Sequence, residues 1–184
     1  MLTALCVLLP AVVVAQQVTP ILGTWTTDAH GVITHDASAW TAKAGYPLAL
    51  FERPASFSGG TASIEFMLIG GTDDYTAGLT FGHQGSSYYY VRYNTKDGNV
   101  ALWRMDGPTR TVIMHGAHHE QLARNQWHRL ELRVEGRRVR ASVNGGPLQV
   151  EHELEQPVSG RLGLYTKPDA TSAFRNLTVS AARR

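Results

Sequence analysis

Cysteine is almost missing from this sequence: Cys6 is the only one in 184 residues. A chain trimmed after Ala15 would carry no thiol and no disulfide. A secreted domain without disulfides is held by its core alone, which fits a bacterial export compartment better than a small stapled extracellular module. Charge of one sign is equally scarce. Seventeen Lys and Arg against fifteen Asp and Glu leave a formal charge of +2, which points to no nucleic-acid partner. The one long apolar run, Met1–Ala15, is shorter than the roughly 20 residues that span a bilayer. It is uncharged and ends in Val13-Val14-Ala15, like the h-region and cleavage site of a secretory signal peptide, though Lys or Arg near Met1 is missing. No lipobox precedes Cys6, so no lipid anchor is expected. The expectation is a secreted or periplasmic protein, residues 16–184 forming one domain, with no stable membrane insertion after cleavage.

What the chain does have is a ladder of short alternating segments. Tyr75–Met105 reads as three strands broken at His83–Ser87 and Asn94–Asn99. Ala62–Ile69 puts Ile64, Phe66 and Leu68 on one face, and Trp127–Glu135 does the same with Leu130, Leu132 and Val134. Glu135-Gly136-Arg137 and Asn144-Gly145 are hairpin turns, the second able to supply two positive φ angles. Leu48–Glu52, Thr111–Met114, Leu148–Leu154, Gly160–Thr166 and Ala173–Ser180 complete the set, while Gln16–Gly45 reads as edge strands and loops. No helix and no internal repeat is expected. The fold class is all-β, a two-sheet antiparallel sandwich.

Several of these segments carry a family resemblance. Ala77-Gly78-Leu79-Thr80-Phe81, Tyr88-Tyr89-Tyr90-Val91-Arg92, Asn99-Val100-Ala101-Leu102-Trp103, Gln126-Trp127-His128-Arg129-Leu130, Val143-Asn144-Gly145 and Gly160–Lys167 occur in order. Together they resemble the concanavalin A-like lectin/glucanase superfamily over about Phe57–Ser180. Within it they are most similar to bacterial laminin-G-like domains of the family 16 glycoside hydrolase-like or 3-keto-disaccharide hydrolase-like kind. The resemblance implies a jelly roll. The Glu-x-Asp-x-Glu motif of the family 16 glucanases is absent; Gly82-His83 stands where the family often has Arg, and Arg175-Asn176 where it has acids.

Tyr88, Tyr90, Arg92 and Asn94 share one face by period-two spacing, and Trp103 joins them from the next strand. Aromatic rings stack on sugar C–H faces while Arg and Asn bond hydroxyls, so a glycan or oligosaccharide is the expected partner. His83 at a strand end, and Lys167 and Asp169 after the Gly-Leu-Tyr-Thr strand, border that groove by resemblance. Asp73, Asp74 and Asp97 sit in loops where the superfamily often holds calcium. His115-x-x-His118-His119-Glu120 has no known metal spacing and reads as a solvated loop. The Arg-rich Arg133–Arg140 and the Glu151, Glu153, Glu155 series read as solvated strand faces. The leading expectation is an exported carbohydrate-binding module, non-catalytic or with unproven activity. A glycoside hydrolase or lyase, and a laminin-G-like protein-interaction module, are the alternatives.

Overall fold

The computed structural model describes residues 16–40, 45–118, 121–147 and 149–181. The expected signal peptide Met1–Ala15 lies outside them, as do Lys43 and Ala44 of the turn before Leu48, His119, Glu120 and Leu148. The strands run in order as β1 (Val18–Leu22), β2 (Trp25–Thr27), β3 (Ile33–His35), β4 (Leu48–Phe51), β5 (Gly60–Gly70), β6 (Thr76–Gln84) and β7 (Ser87–Asn94). Then follow β8 (Asn99–Asp106), β9 (Thr109–His115), β10 (Trp127–Glu135), β11 (Arg138–Val143), β12 (Val150–Glu153), β13 (Arg161–Tyr165) and β14 (Thr171–Ser180). The first sheet has the order β1-β4-β13-β6-β7-β8-β9, the second β12-β11-β10-β5-β14-β3-β2, and every pair is antiparallel. The expected two-sheet antiparallel jelly-roll sandwich is what forms.

Alternation decides which side of each strand is buried. On β10, Leu130, Leu132 and Val134 are buried between the sheets while Arg129, Glu131 and Arg133 are exposed. Burying a Leu or Val in this way stabilises by about 1.5–3 kcal/mol. The hairpin turns close where positive φ is available, at 60° for Gly136 and at 54° and 66° for Asn144 and Gly145. The sequence reading expected no helix, and the one helical turn among the described residues is a 3-10 turn at Ala37–Ala39. It starts where the Asp36 carboxylate accepts the Ser38 backbone N–H at 2.9 Å.

The outer face of the second sheet is woven from ion pairs. Arg133 meets Glu135 at 2.6 Å, Arg140 meets Glu151 at 2.9 Å, Arg175 meets Glu65 at 2.7 Å, and Arg137 bonds Glu153. The Arg-rich stretch is therefore a solvated, internally balanced strand face, as read. Pairs of this exposed kind contribute about 0–1 kcal/mol each.

Candidate functional site

The outer face of the first sheet is built differently. Tyr89, Val91 and Tyr93 of β7 point toward the second sheet, leaving Tyr88, Tyr90, Arg92 and Asn94 on the opposite side. Thr80 and Trp103 stand directly opposite Tyr90, and Gly78 and Ala101 opposite Arg92. Gly78 makes the close packing possible, because a Cβ there would come 2.6 Å from the Val91 carbonyl oxygen and 2.9 Å from the Arg92 Cβ. Tyr165, paired with Gly78, can then lean on Tyr90 with centroids 4.1 Å apart and planes at 20°. Trp103 lies nearly parallel to Tyr90, at 6.3 Å and 8°.

Arg110 of β9 reaches back over this row. Its guanidinium lies 3.8 Å from the Trp103 ring centroid, donates from Nε to the Tyr90 hydroxyl at 2.6 Å, and from Nη1 to the Tyr46 hydroxyl at 3.1 Å. Burial opposes its charge, but the oxygens of Tyr165, Tyr90 and Tyr46 outweigh that effect and raise its pKa. The Tyr90 and Tyr165 hydroxyls are pushed up by burial, and so is that of Tyr88. All three stay protonated at neutral pH.

One expectation needs correction here. Tyr88, Tyr90, Arg92 and Asn94 do face away from the inter-sheet core, but they offer no free row to solvent, being 8, 0, 2 and 1 % exposed. Arg92 is also tied down, donating from Nη2 to Asp97 at 2.5 Å and from Nη1 to the Asn99 side-chain oxygen at 3.4 Å. Asn94 serves the β7–β8 turn, donating to Thr76 Oγ1 at 3.0 Å and accepting the Asp97 N–H at 3.0 Å. The surface that solvent meets is made by the half-buried Tyr46, Trp103 and Arg110. Trp103 Nε1 and Arg92 Nε are buried with no protein hydrogen-bond partner.

His83 stacks on Tyr88 at 4.4 Å and shares a 2.8 Å hydrogen bond with Thr80 Oγ1 through Nε2. Burial, with Arg161 nearby, brings its pKa down to about 4, so the imidazole is neutral at pH 7. Lys167 is bound to Asp74. Asp169 accepts from Thr72 Oγ1 at 2.8 Å and from the Asp73 N–H at 3.2 Å, which ties the β5–β6 loop to the β13–β14 loop. These hydrogen bonds outweigh burial and lower the Asp169 pKa.

The three carboxylates expected to hold calcium are each paired with a cation. Asp73 pairs with Lys96 at 2.9 Å, Asp74 with Lys167, and Asp97 with Arg92 at 2.5 Å, so each carboxylate has its own cation. Among the described residues no three His, Cys, Asp or Glu side chains are placed to hold a metal. Calcium wants six to eight oxygens around one point, and this donor set does not fit it. His115 and His118 are exposed, and the His118 Nδ1 lies 3.2 Å from the Asp97 carbonyl oxygen. Sequence reasoning missed Tyr46 and Arg110. The one available signal was a long cationic side chain on the strand pairing with that of Trp103.

Two seven-stranded antiparallel layers with this outer face define a concanavalin A-like sandwich. Within that class, the laminin G domain model matches residues 72–168, more than half of the chain, and the chain belongs to that family. No curated protein sequence matches it. Among solved structures it is similar to the carbohydrate-binding module CBM66 from Bacillus subtilis, at 21% identity and a TM-score of 0.73, over 88% of this chain and 93% of that one. A protein of unknown function with a galectin-like fold, also from Bacillus subtilis, is similar at 15% identity and TM-score 0.59, over 88% and 87%. An alginate lyase from a Corynebacterium species follows at 15% identity and TM-score 0.52, over 85% and 80%. Likeness at these identities shows the fold.

Proposed function

We propose that this protein is an exported, non-catalytic carbohydrate-binding module that uses the outer face of its first sheet. Trp103, Arg110 and Tyr46 form the contact layer, and Tyr88, Tyr90, Arg92 and Asn94 form the rigid bed beneath it. His83 and Lys167 flank the site, and Asp169 holds the loop that carries Lys167. The observation that carries the reading is Arg110 laid on the Trp103 ring while bonded to two tyrosine hydroxyls. That arrangement fixes rings and donors together on a sheet face, the combination that takes both the C–H and the hydroxyl side of a sugar. The likeness to a carbohydrate-binding module along most of both chains lends support. The apolar Met1–Ala15 segment supports export.

At the outer-face site, binding is favoured over hydrolysis by the state of Asp74 and Asp97. Glycoside hydrolysis uses two carboxyl groups about 5 or 6.5–9.5 Å apart. Asp74 and Asp97 are each engaged by a cation, Lys167 and Arg92. The test is a glycan array on the wild-type chain, followed by affinity electrophoresis in the retained polysaccharide and a product assay. Arg110→Ala and Trp103→Ala should each weaken retention about tenfold or more, with no product formed. Unchanged retention by both folded variants refutes the site, and product release refutes the non-catalytic reading.

A further inference from the structure

A second cleft opens on the flank of the sandwich. β9 and β12 are edge strands of the two sheets. A cavity of about 380 Å³ lies between them and adjoins a hollow of about 240 Å³, the two sharing Tyr89, Arg104 and Glu155 as walls. Tyr89 is fixed by Phe81, 5.7 Å away between centroids, and by the Arg104 guanidinium at 6.0 Å. Arg104 donates to Asp106 at 3.3 Å, and Asp106 accepts from Ser87 Oγ at 2.7 Å, which sets one polar wall. Ile113 and Leu154 supply apolar surface.

Glu155 is the informative residue. Its neighbours Glu151 and Glu153 are bound to Arg140 and Arg137 in the ion-pair lattice of the second sheet. Glu155 lies past the end of β12, is exposed, and meets no cation among the described residues. It therefore brings an uncommitted carboxylate to a cleft that already has a fixed donor–acceptor pair and an apolar wall. Ligand pockets commonly measure about 300–1,000 Å³, and this one falls in the lower part of that range.

We propose that the flank cleft is a second saccharide site, taking the end of a neutral or amino-sugar chain one or two rings long. The Glu155 carboxylate accepts from adjacent hydroxyls or an ammonium group, Arg104 and Asp106 bond a further hydroxyl, and Ile113, backed by the buried Leu154, takes the C–H face. A uronic acid is disfavoured by repulsion from Glu155. The site stands independently of the outer-face reading, and a polymer long enough to engage both would gain avidity without any new contact.

Backbone amide NMR titrations with methyl glucoside, glucosamine, cellobiose and glucuronic acid test the inference. At least one of the first three should move the Tyr89, Arg104, Thr111 and Leu154 signals saturably. Glucuronic acid should bind there at least about fivefold more weakly, and Glu155→Gln should weaken the best probe about tenfold, as expected for a hydrogen bond to a charged acceptor. Trp103→Ala should leave these shifts intact, whatever becomes of the outer face. Absence of shifts with all three probes, equal titration by Glu155→Gln, or loss of the cleft shifts in Trp103→Ala would overturn it.

Discussion

The Arg110 guanidinium sits 3.8 Å from the centre of the Trp103 indole and is locked there by hydrogen bonds to Tyr90 and Tyr46. A cation over a tryptophan face contributes about 0.5–2 kcal/mol, and hydrogen bonds from a charged donor add to it. Arg110→Ala should therefore lower stability in urea by about 1–3 kcal/mol. Arg110→Lys should recover less than half of that, since an ammonium lacks the planar fork that reaches two hydroxyls at once. Full recovery by lysine would show that only the charge matters.

A second prediction concerns Arg92, which is 2 % exposed and leans on Asp97, whose side chain is 38 % exposed. Burial lowers the Arg92 pKa, and Asp97 acts against that shift. Asp97→Ala leaves the guanidinium buried without its counter-ion and should destabilise by about 1–3 kcal/mol, discounted because Asp97 is partly solvated. Removing Glu135 from the exposed lattice of the second sheet should change stability by less than about 1 kcal/mol. Chemical denaturation of both variants checks the contrast; equal effects would contradict it.

His83 gives the fold a pH dependence. Its folded pKa of about 4 lies below the unfolded value near 6.5, so the unfolded chain takes up a proton first as the pH falls. The stabilisation is complete above about pH 6.5 and is lost progressively down to about pH 4. Wild type should lose about 6–12 °C more Tm than His83→Gln between pH 7 and pH 4, the shift expected for about 3 kcal/mol in a chain of this length. Parallel melting curves would contradict this.

Chelation should do little. With Asp73, Asp74 and Asp97 each bound to a separate cation, these three carboxylates offer calcium no assembled donor set. Thermal melts with EDTA or millimolar calcium should agree within about 1 °C, because a ligand that does not bind the native state cannot stabilise it. A calcium-dependent rise of several degrees would contradict this.

Much of the sandwich could be read before any coordinates. The Trp127–Glu135 alternation matched β10 in extent and face, and Ile64, Phe66 and Leu68 were placed correctly on the buried side of β5. Period-two patterning reports which face a side chain takes. It does not report what lies above that face. Tyr90 and Arg92 take the side that the alternation assigns, yet Tyr90 is engaged by Arg110 of β9, itself bonded to Tyr46 from the loop before β4. A register shift in the β8–β9 pairing, between Leu102 and Trp103, further obscures the outward residues of β9. The carboxylates Asp73, Asp74 and Asp97 looked like loop ligands because their cations, Lys96, Lys167 and Arg92, come mostly from other segments of the chain.

The most direct test uses the Trp103 indole N–H, a buried donor left without a partner. Its NMR signal, assigned by its loss in Trp103→Phe, should shift saturably as a retained oligosaccharide is added, while the Trp127 indole, beside Arg175 of the second sheet, stays in place. Saturable glycan binding that leaves the Trp103 signal unmoved would contradict the account.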